Sequence, residues 1–288
     1  MPLTDARHVV VTGATNGIGR VAAIELARRG AALTIVARSP ARAAALVEHI
    51  QGAGGRRPAV VLGDLGIQAD VRRIAAEVLD RGGGIDALVN NAGAVHLRRA
   101  LTPDGIERTW ATNHLAPFLL TALLLDAMRG REGARVITTA SDAHRGAPSG
   151  IRWDDVGYAR RRYRGFAAYA QSKLANILFT RELGRRLEGS GVTALCLHPG
   201  FVATGFNRNN GAIVALGMRL LRPVARSPER GADTLVWLAD GAASQGPQGA
   251  YFVDRRLTQP SGAARDAEAA ERLWALSEEQ TGAVPALG

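Results

Sequence analysis

Tyr169 and Lys173 lie four residues apart in Tyr169-Ala170-Gln171-Ser172-Lys173, a spacing that puts both side chains on one face of a helix. A free phenol titrates near 10, too high for a proton shuttle at neutral pH. A neighbouring ammonium favours the phenolate, and lowering the pKa by about 3 units takes roughly 4 kcal/mol of differential interaction. The chemistry on offer is proton transfer to or from a substrate oxygen. Lys173 is also the single lysine in a chain with 35 arginines. So strong an arginine bias leaves a lysine where a compact ammonium on a flexible stem does what a planar guanidinium cannot. Alone, the Tyr-x-x-x-Lys spacing is common by chance, so its weight depends on what accompanies it.

What accompanies it is a glycine-rich turn, Thr12-Gly13-Ala14-Thr15-Asn16-Gly17-Ile18-Gly19. Glycines there allow a tight turn and let the backbone approach a pyrophosphate over a helix N-terminus. The G-x-x-x-G-x-G spacing differs from the G-x-G-x-x-G of many dinucleotide sites. Folds that take NAD commonly place an acidic residue about 20 residues beyond the glycines, on the ribose 2′-hydroxyl. Here the second strand ends in Val36-Ala37-Arg38-Ser39, and no Asp or Glu occurs between Glu25 and Glu48. A guanidinium and a hydroxyl suit a 2′-phosphate. The expected cofactor is therefore NADP(H), read by Arg38, with Arg20 as a second candidate charge.

These residues need a scaffold, and strand-like and helix-like segments alternate from the start. That is the pattern of a parallel sheet with helices on both faces. Strands are expected at His8 to Thr12, Leu33 to Ala37, Pro58 to Leu62, Ile85 to Val89, Arg135 to Thr139, Val192 to Leu197 and Ala250 to Val253. Helices are expected at Gly17 to Arg29, Ala41 to Ile50, Val71 to Leu79, Ala167 to Leu187, Pro228 to Asp240 and Asp266 to Gln280. A further helical region, Pro103 to Arg129, carries Pro117 as a kink or offset in its middle. Without a repeat, low-complexity tract or linker, residues 1–288 read as one α/β domain. Two connections, about 141–166 and 202–227, break the alternation. Both leave the carboxyl ends of strands, where open α/β sheets bind ligands. The apolar stretch Ile213 to Leu221 suits core, a substrate lid or a membrane-docking helix.

Composition narrows the partners. Hydrophobic residues make up 47% of 288, enough for a sizeable core. The single cysteine, Cys196, excludes an internal disulfide or a thiolate zinc cage, and its apolar surroundings suggest a buried strand thiol. The N-terminus lacks a basic-then-apolar leader, and Ala111 to Ala127 is too short and too polar for a membrane span. A soluble cytoplasmic protein is expected. The net charge of +10 is spread along the chain without interleaved stacking aromatics, which argues against a nucleic-acid partner. His114, His144 and His198 are too scattered for a metal site. His144 falls in the 141–166 connection, where contact with substrate and a loop-stabilising hydrogen bond both remain open.

Taken together, TGATNGIG (Thr12 to Gly19), Asp64-Leu65, Asn90-Asn91-Ala92-Gly93, Asn113, Ser141, Tyr169/Lys173 and His198-Pro199-Gly200 make the chain resemble the short-chain dehydrogenase/reductase family from about residue 7 onward. It is similar in particular to the retinol-dehydrogenase-like branch, through ATNHLAPFLLT, AYAQSKLANILF, HPGFVAT, SPERGADTLVWLA and LWALSEEQTG. The resemblance implies a single Rossmann-type doubly wound sheet, mainly parallel, of about seven strands. It implies a catalytic set of Asn113 holding a relay water, Ser141 orienting a carbonyl, Tyr169 exchanging the proton, and Lys173 binding the nicotinamide ribose while depressing the Tyr169 pKa. Cofactor contacts are implied at Gly13, Thr15, Asn16, Gly17, Ile18, Gly19, Arg38, Asp64, Leu65, Asn90, Ala92, Gly93, Pro199, Gly200, Val202 and Thr204, besides Tyr169 and Lys173. The branch often has two adjacent serines where Ala140-Ser141 stands here. The substrate class implied is a lipophilic ketone, aldehyde or alcohol, and self-association into a homo-oligomer stays open. A catalytically idle nucleotide sensor on the same fold is the alternative. A reductase of carbon–carbon double bonds is another, though such enzymes usually carry extra cysteines near the site.

Overall fold

Residues 6–202, 226–241 and 246–287 are described by the structure, a computed structural model. Strands β1 (His8–Thr12), β2 (Ala32–Ala37), β3 (Ala59–Leu62), β4 (Ala87–Asn90), β5 (Ala134–Thr139), β6 (Val192–His198) and β7 (Ala250–Val253) alternate with helices. The helices are α1 (Gly17–Arg28), α2 (Pro40–Gly52), α3 (Gln68–Asp80), α4 (Arg108–Trp110), α5 (Ala116–Leu124), α6 (Gly165–Arg186), α7 (Pro228–Ala239) and α8 (Ala267–Thr281). The strands are short, β-branched and apolar, as strands covered on both faces must be. Val9, Val10 and Val11 of β1, for example, are all buried.

The sheet order is β3-β2-β1-β4-β5-β6-β7 with every pair parallel. One core packs α3, α5, α6 and α8 on one face through Ile74, Leu119, Leu174 and Trp274. The other packs α1, α2 and α7 on the opposite face through Leu26, Leu46 and Leu235. Order reverses between β1 and β4, so the crevice beyond their carboxyl ends is where such sheets bind ligands.

Two features depart from the expected elements. An eighth strand, β8 (Arg256–Leu257), pairs antiparallel with β7. Its two-residue turn is Asp254-Arg255, with φ at 51° and 59°, the primed hairpin geometry. Neither residue is a glycine, so the turn has no composition cue. Instead Arg226 holds the Asp254 carboxylate, and the Arg255 N–H donates to Thr234 Oγ1 at 3.1 Å.

The helical region expected from Pro103 begins only at Arg108. Leu101 and Glu107 bridge across a tight turn, and Glu107 caps the helix by accepting from Thr109 N–H and Trp110 N–H at 2.9 and 2.8 Å. The offset sits where Pro117 implies it: Ala111–Leu115 is a π turn. Pro117 has no N–H to give the Asn113 carbonyl four residues back. The apolar segment Ile213 to Leu221 lies outside the described residues.

At the amino ends of the central strands, Asp86 ties three segments. It accepts from His8 N–H at 2.7 Å and from the Arg131 Nε and Nη2 at 2.9 and 3.0 Å. Burial pushes its carboxyl up, but the guanidinium and the amide win and hold it below the usual range. A depressed folded-state pKa adds stability above the unfolded value near 4, lost as pH falls through the folded value. Asp86→Asn is therefore expected to lower stability by about 1–3 kcal/mol at pH 7, Arg131 being half-exposed. Urea unfolding at pH 7 and pH 3 checks this: the gap between the two proteins should close at acid pH.

Candidate active site

The glycine turn after β1 is built for close approach. Gly13 and Gly17 have φ of 66° and 54°, which side chains avoid. A Cβ on Gly19 would lie 2.4 Å from the Gly13 carbonyl oxygen and from Asn91 Nδ2. Asn16 precedes α1 without capping it by its side chain, and the first turn holds no acidic residue. The N–H groups there thus suit an anion, with no acidic side chain in the turn to compete for them. Asn91 fixes this turn from β4's end, donating from Nδ2 to the Thr12 and Gly13 carbonyls at 3.1 and 3.3 Å. Thr12 Oγ1 accepts from Asn91 N–H and Ala92 N–H in return, at 3.0 and 3.1 Å. A Cβ on Gly231 of α7 would meet Val202 and Ile18 at 2.6 and 2.8 Å, so the β6 loop and the glycine turn share one wall.

The far end of the crevice is charged. Asp64 Oδ1 accepts from Gly66 N–H at 2.9 Å, while its Oδ2 faces two guanidiniums, Arg38 at 3.6 Å and Arg108 at 3.9 Å. Ser39 caps α2 through Arg42 N–H at 3.4 Å. Leu65 packs on the core. The Asn90 side chain is buried, its Nδ2 donating to Thr121 Oγ1 at 3.0 Å.

The residues expected to be catalytic gather where β5 and α6 meet. The Tyr169 phenol hydrogen-bonds Ser141. Ser141 Oγ accepts from Ala143 N–H at 3.2 Å, which leaves its own hydrogen to point elsewhere. Lys173 is buried, with Nζ donating to the Thr139 carbonyl at 2.7 Å and 5.6 Å from the Tyr169 ring centre. A Cβ on Gly93 would come within 3.5 Å of that ammonium. Asn113 is wholly buried: its Oδ1 accepts from Ala94 N–H at 2.8 Å, and its Nδ2 donates to the Ala94 carbonyl at 2.9 Å and Ser172 Oγ at 3.0 Å. The side chain is occupied, so any water held by Asn113 would meet its carbonyl.

Electrostatics here differ from the implied depression of the phenol. Burial pushes Tyr169 up to about 12, against the opposing Ser141 hydrogen bond. Burial brings Lys173 down to about 7. The ammonium is hydrogen-bonded to Thr139 rather than to the phenol, and desolvation outweighs attraction. In the chain by itself the phenol is a protonated donor.

A family model described as short chain dehydrogenase matches residues 7–151 and 156–213. The chain belongs to that family. Human retinol dehydrogenase 13 is 38% identical over 282 residues, 96% of this chain and 85% of its own length. A crystal structure of a protein from Mycobacterium paratuberculosis is 36% identical with a TM-score of 0.78, covering 97% of this chain and 94% of its own. A short chain dehydrogenase from Burkholderia cenocepacia in complex with NADP is 28% identical with a TM-score of 0.65, covering 90% and 98%. This chain is thus an oxidoreductase on a nucleotide-binding, Rossmann-type sheet.

In this dehydrogenase, the structure brings together Gly13, Gly17, Ile18, Gly19, Ala92, Gly93, Asn113, Ser141, Tyr169, Lys173 and Val202 along one crevice, with Arg38 and Asp64 at its end. Pro199 and Gly200 follow β6, and Gly200 takes a φ of 82° over the Arg226 side chain. Thr204, and most of the 202–227 connection, lie outside the described residues. Cys196 is buried and its thiol is pushed up to about 12 by burial, which removes it from chemistry. His114 is wholly buried against Trp110, its pKa brought down to about 3. Among the described residues, no helix is long and apolar enough to cross a membrane, and no cluster of three metal-binding side chains occurs.

Sequence reasoning missed Asn91, Thr139, Arg108 and Gln171. Only Asn91 and Gln171 had a local signal, sitting inside the quoted motifs. Gln171 organises the loop before α6: its Oε1 accepts from Arg152 N–H and Arg161 Nη2, both at 3.2 Å, and its Nε2 donates to the Val156 carbonyl at 3.0 Å. Gln171→Leu takes these partners from the Arg152 N–H and the Val156 carbonyl and leaves Arg161 Nη2 with the Asp155 carbonyl, at an expected cost of about 1–3 kcal/mol. Limited trypsin digestion should then cut faster at Arg160 to Arg164, and an unchanged cleavage rate would remove Gln171 from this role.

Proposed function

We propose that the protein transfers hydride between NADP(H) and a lipophilic ketone, aldehyde or alcohol, with Tyr169 exchanging the proton. The observation that carries this is the pair of hydroxyls, Tyr169 and Ser141, in hydrogen-bond contact, with the buried Lys173 ammonium 5.6 Å from the Tyr169 ring centre. When bound, the nicotinamide supplies or takes the hydride. The rest is done by side chains. Ser141 and Tyr169 hold the substrate oxygen between two hydroxyls, and a protonated Tyr169 gives its proton as that oxygen gains charge. Lys173 holds the ribose side of the crevice floor and offers a cation near the phenol as it loses its proton. The Asn113 carbonyl, lacking the Pro117 donor, is placed to accept from a water that returns the proton. A lipophilic substrate is supported by the exposed rings of Phe166, one turn before Tyr169, and Phe201, beside the β6 loop. A retinol dehydrogenase among its relatives points the same way.

Support for NADP(H) comes from Arg38 and Arg108 converging on one carboxylate, and from a relative bound to NADP. A 2′-phosphate would meet paired guanidinium donors there.

Tyr169→Phe is expected to reduce turnover by about 10²- to 10⁴-fold, the usual loss for a removed general acid. NADPH binding, followed by fluorescence titration, should stay intact. Turnover near wild type would take the proton role away from Tyr169.

Arg38→Asp is expected to weaken NADPH binding by about 10- to 100-fold, or 1.4–2.8 kcal/mol, while NADH use falls far less or rises. Equal weakening of both cofactors, or a wild type that binds NADH as tightly as NADPH, counts against the assignment.

A further inference from the structure

Ser141 is half-buried, and its backbone is extended, with φ −164° and ψ 151°. A five-residue 3₁₀ turn, Asp142–Gly146, follows it and ties it to the rest of the molecule. The anchor is His144, which is wholly buried. His144 Nδ1 lies 2.7 Å from the Ser141 carbonyl oxygen, and its Nε2 lies 3.0 Å from the backbone nitrogen of Ser261. A backbone N–H only donates, so Nε2 must carry the lone pair. The ring hydrogen is then on Nδ1, donating to Ser141. Geometry alone thus selects one neutral tautomer.

The surroundings hold that state. Asp142 and Arg145 on the same turn, His198 of β6 and Tyr251 of β7 are the titratable and charged groups that face the ring. Burial dominates, ahead of the Ser141 hydrogen bond that favours the cation, and it lowers the His144 pKa. The Tyr251 ring packs edge-on at 5.7 Å. An independent brace acts beside it: His198 Nδ1 accepts from Asp142 N–H at 3.1 Å. Protonating Nε2 of His144 would set its N–H against the Ser261 N–H, so only the uncharged ring spans the gap.

We propose that His144 is the positioning residue for Ser141, a neutral imidazole clamped between the Ser141 carbonyl and the Ser261 amide that ties the serine turn to the segment before α8. The proposal rests on the oxidoreductase reading of the same site. It deepens that reading by placing control of the serine in a residue that touches neither substrate nor cofactor.

The test is a double-mutant cycle on carbonyl reduction with NADPH. His144→Phe keeps a ring but offers no polar atoms. It should lower kcat by about 10- to 100-fold, the scale of a small misplacement at a reacting centre, with NADPH affinity unchanged. In a Ser141→Ala background the same change should cost no more than about 2-fold, because coupled residues fail to add. His144→Gln carries an amide oxygen and nitrogen spaced much as the ring nitrogens are, so it should recover most of kcat. Losses that multiply, kcat for His144→Phe near wild type, or a glutamine no better than phenylalanine would each overturn the clamp. Should His144→Phe fail to fold, Gln against Asn decides: the shorter amide reaches Ser141 but not Ser261, and it must lose kcat where Gln keeps it. A wild type that reduces no carbonyl with NADPH overturns the oxidoreductase reading instead. Amide exchange at Ser261, slow in wild type and His144→Gln and fast in His144→Asn, then still tests the clamp, and equal rates sink it.

Discussion

Lys173 buries an ammonium, and the structure around it follows from how that charge is kept. An unpaired cation in a protein interior costs several kcal/mol. Here Nζ meets the carbonyl of Thr139 at the last position of β5, and burial still lowers its pKa to about 7. That arrangement requires β5 to end at Thr139, with its carbonyl turned out of the ladder, and α6 to pass directly beneath. Asn176, a turn further along α6, donates to the same carbonyl at 3.3 Å. The two contacts lock helix to strand at the point where Ser141 leaves the sheet. An arginine fork in the same space would have to displace one of them, which is a physical reason for the single lysine in an arginine-rich chain.

From Thr139 the constraint passes to the nucleotide side. Thr139 Oγ1 donates to Asn91 Oδ1 at 3.4 Å, and Asn91 Nδ2 in turn holds the glycine turn. The cradle after β1 and the Tyr169–Lys173 stretch of α6 are therefore not independent sites that happen to be adjacent. They share one strand end and one amide. The glycines serve this closeness: at Gly13 and Gly19 any Cβ would strike Asn91 or Ala92 within 3.0 Å. The same economy of space explains the second link, where Gly93, Asn113 and Ser172 meet above the π turn.

Much of this was legible because parallel strands and amphipathic helices announce themselves by period, and because the reactive residues sit at their ends. The seven parallel strands, the single buried cysteine and the offset at Pro117 all follow from local chemistry that the residues carry. What was not legible depends on residues far apart in the chain. The Asp254-Arg255 hairpin is held by Arg226 and Thr234 rather than by turn-forming residues, so β8 has no local signature. The late start at Arg108 needs Glu107 to cap, and nothing nearby distinguishes that glutamate from a solvated one until Tyr163 is seen bonding it at 3.1 Å. The phenol is shifted upward rather than downward because burial depth, which sequence does not report, decides the sign.

The charged end of the crevice shows the same division. Arg38 announces itself at the end of β2, but Arg108 reaches the same carboxylate from the start of α4, seventy residues away. Both arginines are substantially exposed, at 59% and 42%. Ion pairs so open to water are worth little, and Asp64 already gives Oδ1 to Gly66. The two guanidiniums are thus gathered without being committed. A dianionic phosphate arriving between them would gain two charge-assisted partners while displacing only weak contacts. An uncharged ribose hydroxyl would gain far less from the same two guanidiniums. Cofactor discrimination at this end would then come from the low cost of releasing the arginines as much as from the strength of what they grip.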